Sequence, residues 1–116
     1  MHPIKTKRIY DEYAKKDGYR ILVDRIWPRG VSKEDAKLDD WNKEIAPSDH
    51  LRKWFDHKEE RFEEFKKRYK KELEDHHDDL KEIKKVAKEK TVTLLYGAKD
   101  EKMNQAVVLQ DVLKNL

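Results

Sequence analysis

Cysteine is absent from this 116-residue chain, and so are long apolar runs. Without cysteine the chain can form no disulfide, no thiolate metal site and no covalent thiol intermediate, and nothing in it argues for secretion. No apolar stretch approaches the roughly 20 residues needed to cross a bilayer, and Met1-His2-Pro3 lacks the apolar core of a signal peptide. We therefore expect a cytoplasmic protein without a membrane partner, and the length favours a single domain over residues 1–116.

The motifs of several common chemistries are missing as well. No serine lies in a nucleophile-elbow context, and neither a GxxxxGK[ST] nor a GxGxxG phosphate loop is present. His76-His77 lies among acidic residues, but adjacent histidines on a helix point in different directions and no HExxH spacing exists. We predict no metal site, and the residues imply no particular cofactor.

Charge is abundant but nearly balanced. Asp, Glu, Lys and Arg make up 46% of the residues, yet the net charge is only +3. Residues 1–30 hold eight Lys and Arg against four Asp and Glu, so the positive excess lies in this segment. Such an excess suits an anionic ligand but is weaker than a basic arm for nucleic acid. The later basic pairs, such as Arg52-Lys53, alternate with glutamates and indicate solvated helix surfaces.

Four segments have the pattern of strands. Residues 4–10 alternate loosely and indicate a strand near an edge, whereas residues 19–26 and 91–96 are apolar at consecutive positions, which is typical of strands buried on both faces. The residues around Trp41 fit either a short strand or a helical turn. The long helical stretch between Trp41 and residue 91 favours a parallel crossover.

Helices are indicated by caps and by apolar spacings of three and four. Ser32 and Ser48 are predicted N-caps, residues 59–75 form the strongest helix, and Asp78 or Asp79 is expected to cap the next one. A final helix is expected to begin near Asp100 or Glu101, with a buried stripe of Ala106, Leu109, Leu113 and Leu116. Together these elements predict an α/β fold, a small three-layer sandwich with a mostly parallel central sheet of about four strands flanked by helices. The direction of the first strand stays open.

Charged side chains follow both central strands. Asp24, Arg25, Trp27 and Arg29 come after the first of them, and Tyr96, Lys99 and Asp100 come at the end of the second. Because ligands bind beyond the carboxyl ends of parallel strands, these residues are expected to surround one crevice. The alternative is structural: the charges neutralise their neighbours and Trp27 fills the core. His57, at a helix end, is either a general base or a favourable C-terminal cation.

Four motifs identify a family resemblance. They are DGYRILVDRIWPRG from Asp17, WxKxxAPSxxLxxWFxH from Trp41, FxxxYxxEL from Phe65 and TLLYGAKDxxxNxAVVL from Thr93. This pattern resembles the YeaO-type family, a bacterial and archaeal family of unknown function, over nearly the whole chain. The resemblance implies a small three-layer α/β fold and brings no established activity. It adds Trp41, Lys43, Trp54, His57 and Asn104 to the positions of interest.

Two departures from the family pattern limit what the resemblance implies. Broader relatives carry a Cys-His-Arg element after the late strand, where this chain has Met103-Asn104-Gln105, so cysteine-dependent chemistry does not transfer. Gly97 replaces an alanine, a change expected only to loosen the turn.

The leading hypothesis is a domain that binds or acts on a small anionic compound, phosphate- or carboxylate-bearing and including nucleotide-like ligands. Arg25 and Arg29 would hold the anion and Lys99 would stabilise developing charge. Asp24 or Asp100 would orient groups or act as a base. Further ligand contacts are expected from Trp27, Trp41, Lys43, His57, Tyr96 and Asn104.

Two rival hypotheses stay open. The pI of about 8.9 and the lysine-rich helices allow a nucleic-acid-binding or protein-interaction module. The other rival is a structural domain whose crevice is filled by Trp27 and Arg25.

Overall fold

A computed structural model describes residues 1–116 as a four-stranded parallel sheet with helices on its faces. The strands are β1 (Ile4–Arg8), β2 (Tyr19–Leu22), β3 (Asp40–Trp41) and β4 (Val92–Tyr96). Their order across the sheet is β1-β4-β2-β3, and every neighbouring pair is parallel. The predicted fold class is confirmed, and the direction of the first strand is now established as parallel.

The helices are α1 (Lys33–Ala36), α2 (Asp49–Phe55), α3 (Phe62–Leu73), α4 (His77–Glu89) and α5 (Gln105–Lys114). Short 3-10 turns at Lys15–Asp17, Glu59–Arg61 and Glu74–His76 precede β2, α3 and α4. Two N-caps agree with the sequence: Ser32 Oγ accepts from Asp35 N–H over 3.0 Å, and Ser48 Oγ accepts from Leu51 N–H over 3.1 Å. No helix is both long and apolar enough to span a membrane.

The two faces of the sheet are covered unequally. A main core of 20 buried residues joins one face to α2, α3, α4 and α5, and includes stacked rings of Phe55, Phe65 and Tyr69. The other face carries a cluster of four buried residues, Ile9, Leu22, Ala36 and Leu95, under α1 and the segment that holds Trp27 and Trp41. β4, which is central and buried along its whole length, supplies both clusters because its successive side chains point to opposite faces.

Several predicted boundaries are corrected. β2 ends at Leu22 rather than at residue 26, although Val23 N–H still donates to Leu95 O over 3.0 Å. The chain then leaves the sheet and bends at Arg25 and Ile26. α4 has His76 rather than an aspartate at its N-cap because the preceding 3-10 turn runs directly into it.

The last helix also differs from the prediction. α5 begins at Gln105, not near residue 100, because Asp100 Oδ1 accepts from the N–H groups of Lys102 and Met103 and closes a turn first. Leu116 lies beyond the helix and is 44% exposed, so it is not part of the buried stripe.

Candidate functional site

The candidate site lies at the carboxyl end of the sheet, where β2 and β4 end side by side. These strands are paired, with Leu22 opposite Leu95. The following segments therefore leave the sheet at one edge, and Gly97 N–H donates to Asp24 Oδ2 over 2.8 Å. Open α/β sheets bind ligands beyond this edge. Here a cleft with two adjoining lobes lies at it.

The first lobe has a volume of about 480 Å³, a size suited to a small molecule. Apolar walls come from both prolines of the surrounding loops and from two phenylalanines of the main core. The charged lining comes from the segment after β2 and from α2. These charged residues are Asp24, Arg25, Arg29, Arg52, Lys53 and Asp56.

The second lobe, of about 710 Å³, lies beside the first. It adds Glu59, Lys99, Asp100 and Met103 to the lining, and Arg29 and His57 border both lobes. No group of three or more histidine, aspartate or glutamate side chains is arranged to hold a metal ion.

Asp24 is the carboxylate in the first lobe. Its Oδ2 accepts from Gly97 N–H, and its Oδ1 accepts from the side-chain amide of Gln105 at the start of α5. Burial raises the pKa of Asp24 to about 6, although these two hydrogen bonds and the charge of Arg52 act in the opposite direction. Desolvation of the carboxylate is therefore the dominant effect.

Gly97 leaves room for this carboxylate. A Cβ at residue 97 would lie 3.0 Å from Asp24 Oδ2, tighter than an ordinary carbon–oxygen contact. The glycine was expected only to loosen a turn. In the structure it also allows Asp24 to lie directly against the backbone of the chain after β4.

The three arginine side chains that line the first lobe differ in how many of their hydrogen-bond donors are satisfied by protein groups. Arg25 is fixed, since its Nε donates to Pro47 O over 2.9 Å and its Nη2 donates to Ala46 O over 3.2 Å. The side chain of Arg29 is exposed and forms no hydrogen bond or ion pair. Arg52 Nε is buried without any hydrogen-bond acceptor, while its Nη2 makes only a long 3.4 Å contact with Asp49. The lobe thus contains guanidinium donors that protein groups do not satisfy.

His57 stands at the boundary of the two lobes on an unusual backbone. Asp56 and His57 follow α2 with φ values of +47° and +55°, in the left-handed region that side chains other than glycine rarely adopt. Such conformations cost about 1–3 kcal/mol each and cluster at ligand-binding segments. The turn places the imidazole at the mouth of the cleft, 6.2 Å from the ring of Phe55.

Trp27 and Trp41 pack against each other on the opposite face of the sheet, with ring centroids 5.2 Å apart. Their indole N–H groups donate to Val31 O and to Asp24 O, each over 2.7 Å. Trp27 reaches the first lobe, whereas Trp41 lines neither lobe, and Lys43 lies with its Nζ 4.2 Å from the Trp41 ring centroid. Trp41 therefore holds the backbone of Asp24 in place.

The residues at and after the end of β4 also differ in how free their side chains are to meet a ligand. Lys99 is exposed at the second lobe. The pKa of Asp100 is lowered by the hydrogen bonds from Met103 and Lys102 N–H. Asn104 is buried, caps α5 by accepting from Val107 N–H over 3.0 Å, and donates to Asp100 O over 2.8 Å. Tyr96, which is 2% exposed, lines neither lobe.

A family model described as "Inactive DUF488-N3 subclade" matches residues 3–116. The uncharacterized protein YeaO of Escherichia coli (strain K12) is 47% identical over 113 residues, which cover 97% of this chain and 98% of YeaO. The chain belongs to this YeaO-like DUF488 family. The uncharacterized proteins Mb3100c of Mycobacterium bovis and Rv3073c of Mycobacterium tuberculosis are each 39% identical over 112 residues, covering 95% of this chain and 92% of theirs. No solved structure matches.

In this YeaO-like chain the three residues at the position of the Cys-His-Arg element have separate roles. Met103 lines the second lobe, Asn104 caps α5, and Gln105 donates to Asp24. The segment therefore contributes to the cleft by packing and hydrogen bonding.

Two further cleft residues of the YeaO-like fold were not predicted. Arg52 was assigned to a solvated helix surface and Gln105 was given no role, yet both bear on Asp24. The predicted Ser48 cap located the start of α2, but it did not show that one side of this helix borders the strand ends. Only Gln105 could have been found from the sequence, because a helix that starts after a central parallel strand begins near the carboxyl edge of the sheet.

Proposed function

We propose that this protein binds a small anionic compound, phosphate- or carboxylate-bearing and including nucleotide-like ligands, in the first lobe of the cleft. The observation that carries the proposal is the set of guanidinium donors without protein acceptors: Arg29 is unpaired, and Arg52 Nε is buried and unbonded. A buried donor left unsatisfied costs about 1–3 kcal/mol. The oxygens of an anion would supply acceptors for Arg29 and for the accessible part of the Arg52 guanidinium, since that side chain is 40% exposed, and a small shift of Arg52 would bring Nε within reach of the same anion.

The arrangement suits an anion with several acceptor oxygens. Arg25 is held rigid by two backbone carbonyls, so its position is set before a ligand arrives. Arginine binds phosphate and carboxylate through parallel N–H donors. In this proposal Arg29 and Arg52 contact the anion, and Arg25 adds a fixed positive charge beside them. Lys99 attracts the ligand from the second lobe, and His57 at the boundary of the lobes offers a ring N–H donor.

Binding without turnover is the form of the proposal that the observations favour. The matching family model is described as inactive. Asp100, one of the carboxylates considered as a base, accepts two N–H groups in a turn, and Asp24 accepts from Gly97 and Gln105. Both carboxylates thus have defined hydrogen-bonding roles without a substrate.

The rival nucleic-acid module receives less support. Basic residues of α3 and α4 lie beside glutamates of their own helix, as in the Lys66–Glu63, Arg68–Glu64 and Lys85–Glu82 pairs. Such pairs neutralise the stripe of positive charge that a phosphate backbone would follow.

Replacement of Arg29 tests the proposal. Titration calorimetry with inorganic phosphate, sugar phosphates and nucleotides is expected to show at least roughly ten-fold weaker binding by Arg29→Ala, because one hydrogen bond to a charged group contributes about 1.5–3 kcal/mol. Lys88→Ala is the matched control, since it removes one exposed positive charge from the end of α4, at the opposite end of the sheet.

The control separates site binding from general attraction. Lys88→Ala should bind like the parent protein. Equal, weak binding by the parent and Arg29→Ala would remove the proposed site. Affinity for a single-stranded oligonucleotide that falls steeply with salt and depends on α3 lysines would favour the rival.

A further inference from the structure

The first lobe is not uniformly cationic, and this bears on the chemistry of its ligand. Asp24 lines the same lobe as Arg25, Arg29 and Arg52, and the charge of Arg52 acts on it. An ionised carboxylate there repels a bare anion. A lobe built only to hold an anion would gain from having a neutral residue at this position.

Asp24 also keeps unused acceptor capacity. A carboxylate has about four lone-pair sites, and the hydrogen bonds of Asp24 are those from Gly97 N–H and Gln105. Arg25, Arg29 and Arg52 line the same lobe, but none of them forms a hydrogen bond or an ion pair with the Asp24 carboxylate. The remaining acceptor sites of Asp24 are therefore free to accept from a ligand.

We propose that the ligand of this cleft is a phosphomonoester of a hydroxyl-bearing compound, whose phosphate contacts Arg29 and Arg52 while a neighbouring hydroxyl donates to Asp24. The inference rests on the proposed function and narrows it to one class of ligand. It gives the carboxylate a positive role in selectivity, because a hydrogen bond to an ionised acceptor is stronger than one to a neutral acceptor.

The chain allows a matched variant for this test. In Asp24→Asn, the side-chain oxygen can still accept from Gly97 N–H, and the side-chain amide can donate to Gln105 Oε1 once the Gln105 amide rotates. The variant keeps the size and both internal hydrogen bonds and loses the negative charge.

Two ligands that differ only in hydroxyl groups provide the measurement: glycerol 3-phosphate and propyl phosphate, titrated at pH 8. The parent protein is expected to bind glycerol 3-phosphate at least roughly ten-fold more tightly. In Asp24→Asn this ratio should fall to within about three-fold, while propyl phosphate itself binds more tightly because the repulsion is gone. The opposite signs of these two changes distinguish a hydroxyl acceptor from a residue that only repels anions.

The outcomes separate this inference from the proposed function. Equal affinity of the parent for the two esters, or an unchanged ratio in Asp24→Asn with both esters bound more tightly, would overturn the hydroxyl assignment and leave the anion site standing. Failure of the parent to bind either ester or inorganic phosphate would overturn both.

Discussion

Asp17→Ala is expected to lower the free energy of unfolding by about 3–5 kcal/mol, the cost of leaving a buried charge without its partner. The stranded charge would be Arg20, whose side chain is only 2% exposed and whose Nη1 lies 2.5 Å from Asp17 Oδ2. The other Arg20 donors reach the carbonyl oxygens of Ala36 and Lys37, which are neutral. Asp17 is the anion that compensates Arg20.

The same carboxylate organises the entry to β2. It accepts from Ala14 N–H over 3.0 Å and from Lys7 Nζ over 3.1 Å, and Asp17 O accepts from Thr93 Oγ1 over 2.7 Å. Burial alone would raise the pKa of Asp17, but the hydrogen bonds from Ala14, Lys7 and Arg20 outweigh it and lower the pKa below 3.8. The stabilisation is therefore complete above about pH 4 and is lost only as the pH falls through the lowered value.

Urea denaturation at pH 7 measures the effect. Asp11→Ala is the matched control, because Asp11 is exposed and its carboxylate makes no hydrogen bond or ion pair, so a change within about 0.5 kcal/mol is expected there. The double variant Asp17→Ala/Arg20→Met should lose less than Asp17→Ala alone, since the uncompensated charge is gone. A loss below about 1 kcal/mol for Asp17→Ala would mean that Arg20 finds another partner.

The buried pair shows what sequence patterns cannot supply. Periodicity located β2 and β4 because consecutive apolar residues require cover on both faces, and the crossover helices imposed parallel pairing. It gave no sign that Arg20, a charged residue in a buried strand, would turn back to Asp17. That contact depends on the turn at Gly18, where φ is +67°, and on three-dimensional packing.

For the candidate site, too, the sequence predicted which backbone segments are neighbours but not the contacts of their side chains. The adjacency of the segments after Asp24 and Tyr96 followed from parallel neighbours in a sheet, and the structure has it. Which side chains of those segments are free did not follow. Trp41 and Asn104 are consumed by hydrogen bonds that build the site, while Arg29 is left open. Such a division depends on atomic distances rather than on residue type.

Asp24→Asn is expected to stabilise the protein by about 2–3 kcal/mol at pH 8. In the folded protein burial raises the pKa of Asp24 to about 6, from an ordinary value of 3.8. This pKa shift of roughly two units means that keeping the carboxylate ionised above pH 6 destabilises the folded state by about 3 kcal/mol. Asparagine carries no charge to desolvate and keeps both internal hydrogen bonds.

The direction of the pKa shift determines how the stability difference between the parent and Asp24→Asn changes with pH. Because the raised value belongs to the folded state, the folded protein holds the Asp24 proton more tightly than the unfolded chain does. The parent therefore gains stability from this group as the pH falls from about 6 to about 4, and the advantage of Asp24→Asn shrinks over the same interval. Below pH 4 the two proteins should be equally stable.

Asp100→Asn is the control, and its expected effect on stability is opposite to that of Asp24→Asn. Hydrogen bonds from Met103 and Lys102 N–H lower the pKa of Asp100, so its charged form is favoured by the fold and the substitution should destabilise the protein at neutral pH. Denaturation of the parent and both variants between pH 4 and pH 8 separates the two behaviours.

A stabilising Asp24→Asn that also loses selectivity between the two phosphate esters would tie the stability cost to ligand binding. Folds retain an unfavourable buried charge where that charge has a use, and such groups concentrate in clefts. A difference between parent and variant that stays constant from pH 4 to pH 8 would instead mean that desolvation of Asp24 is not what changed. The carboxylate would then be a structural anchor for Gly97 and Gln105, with no charge held ready for a ligand.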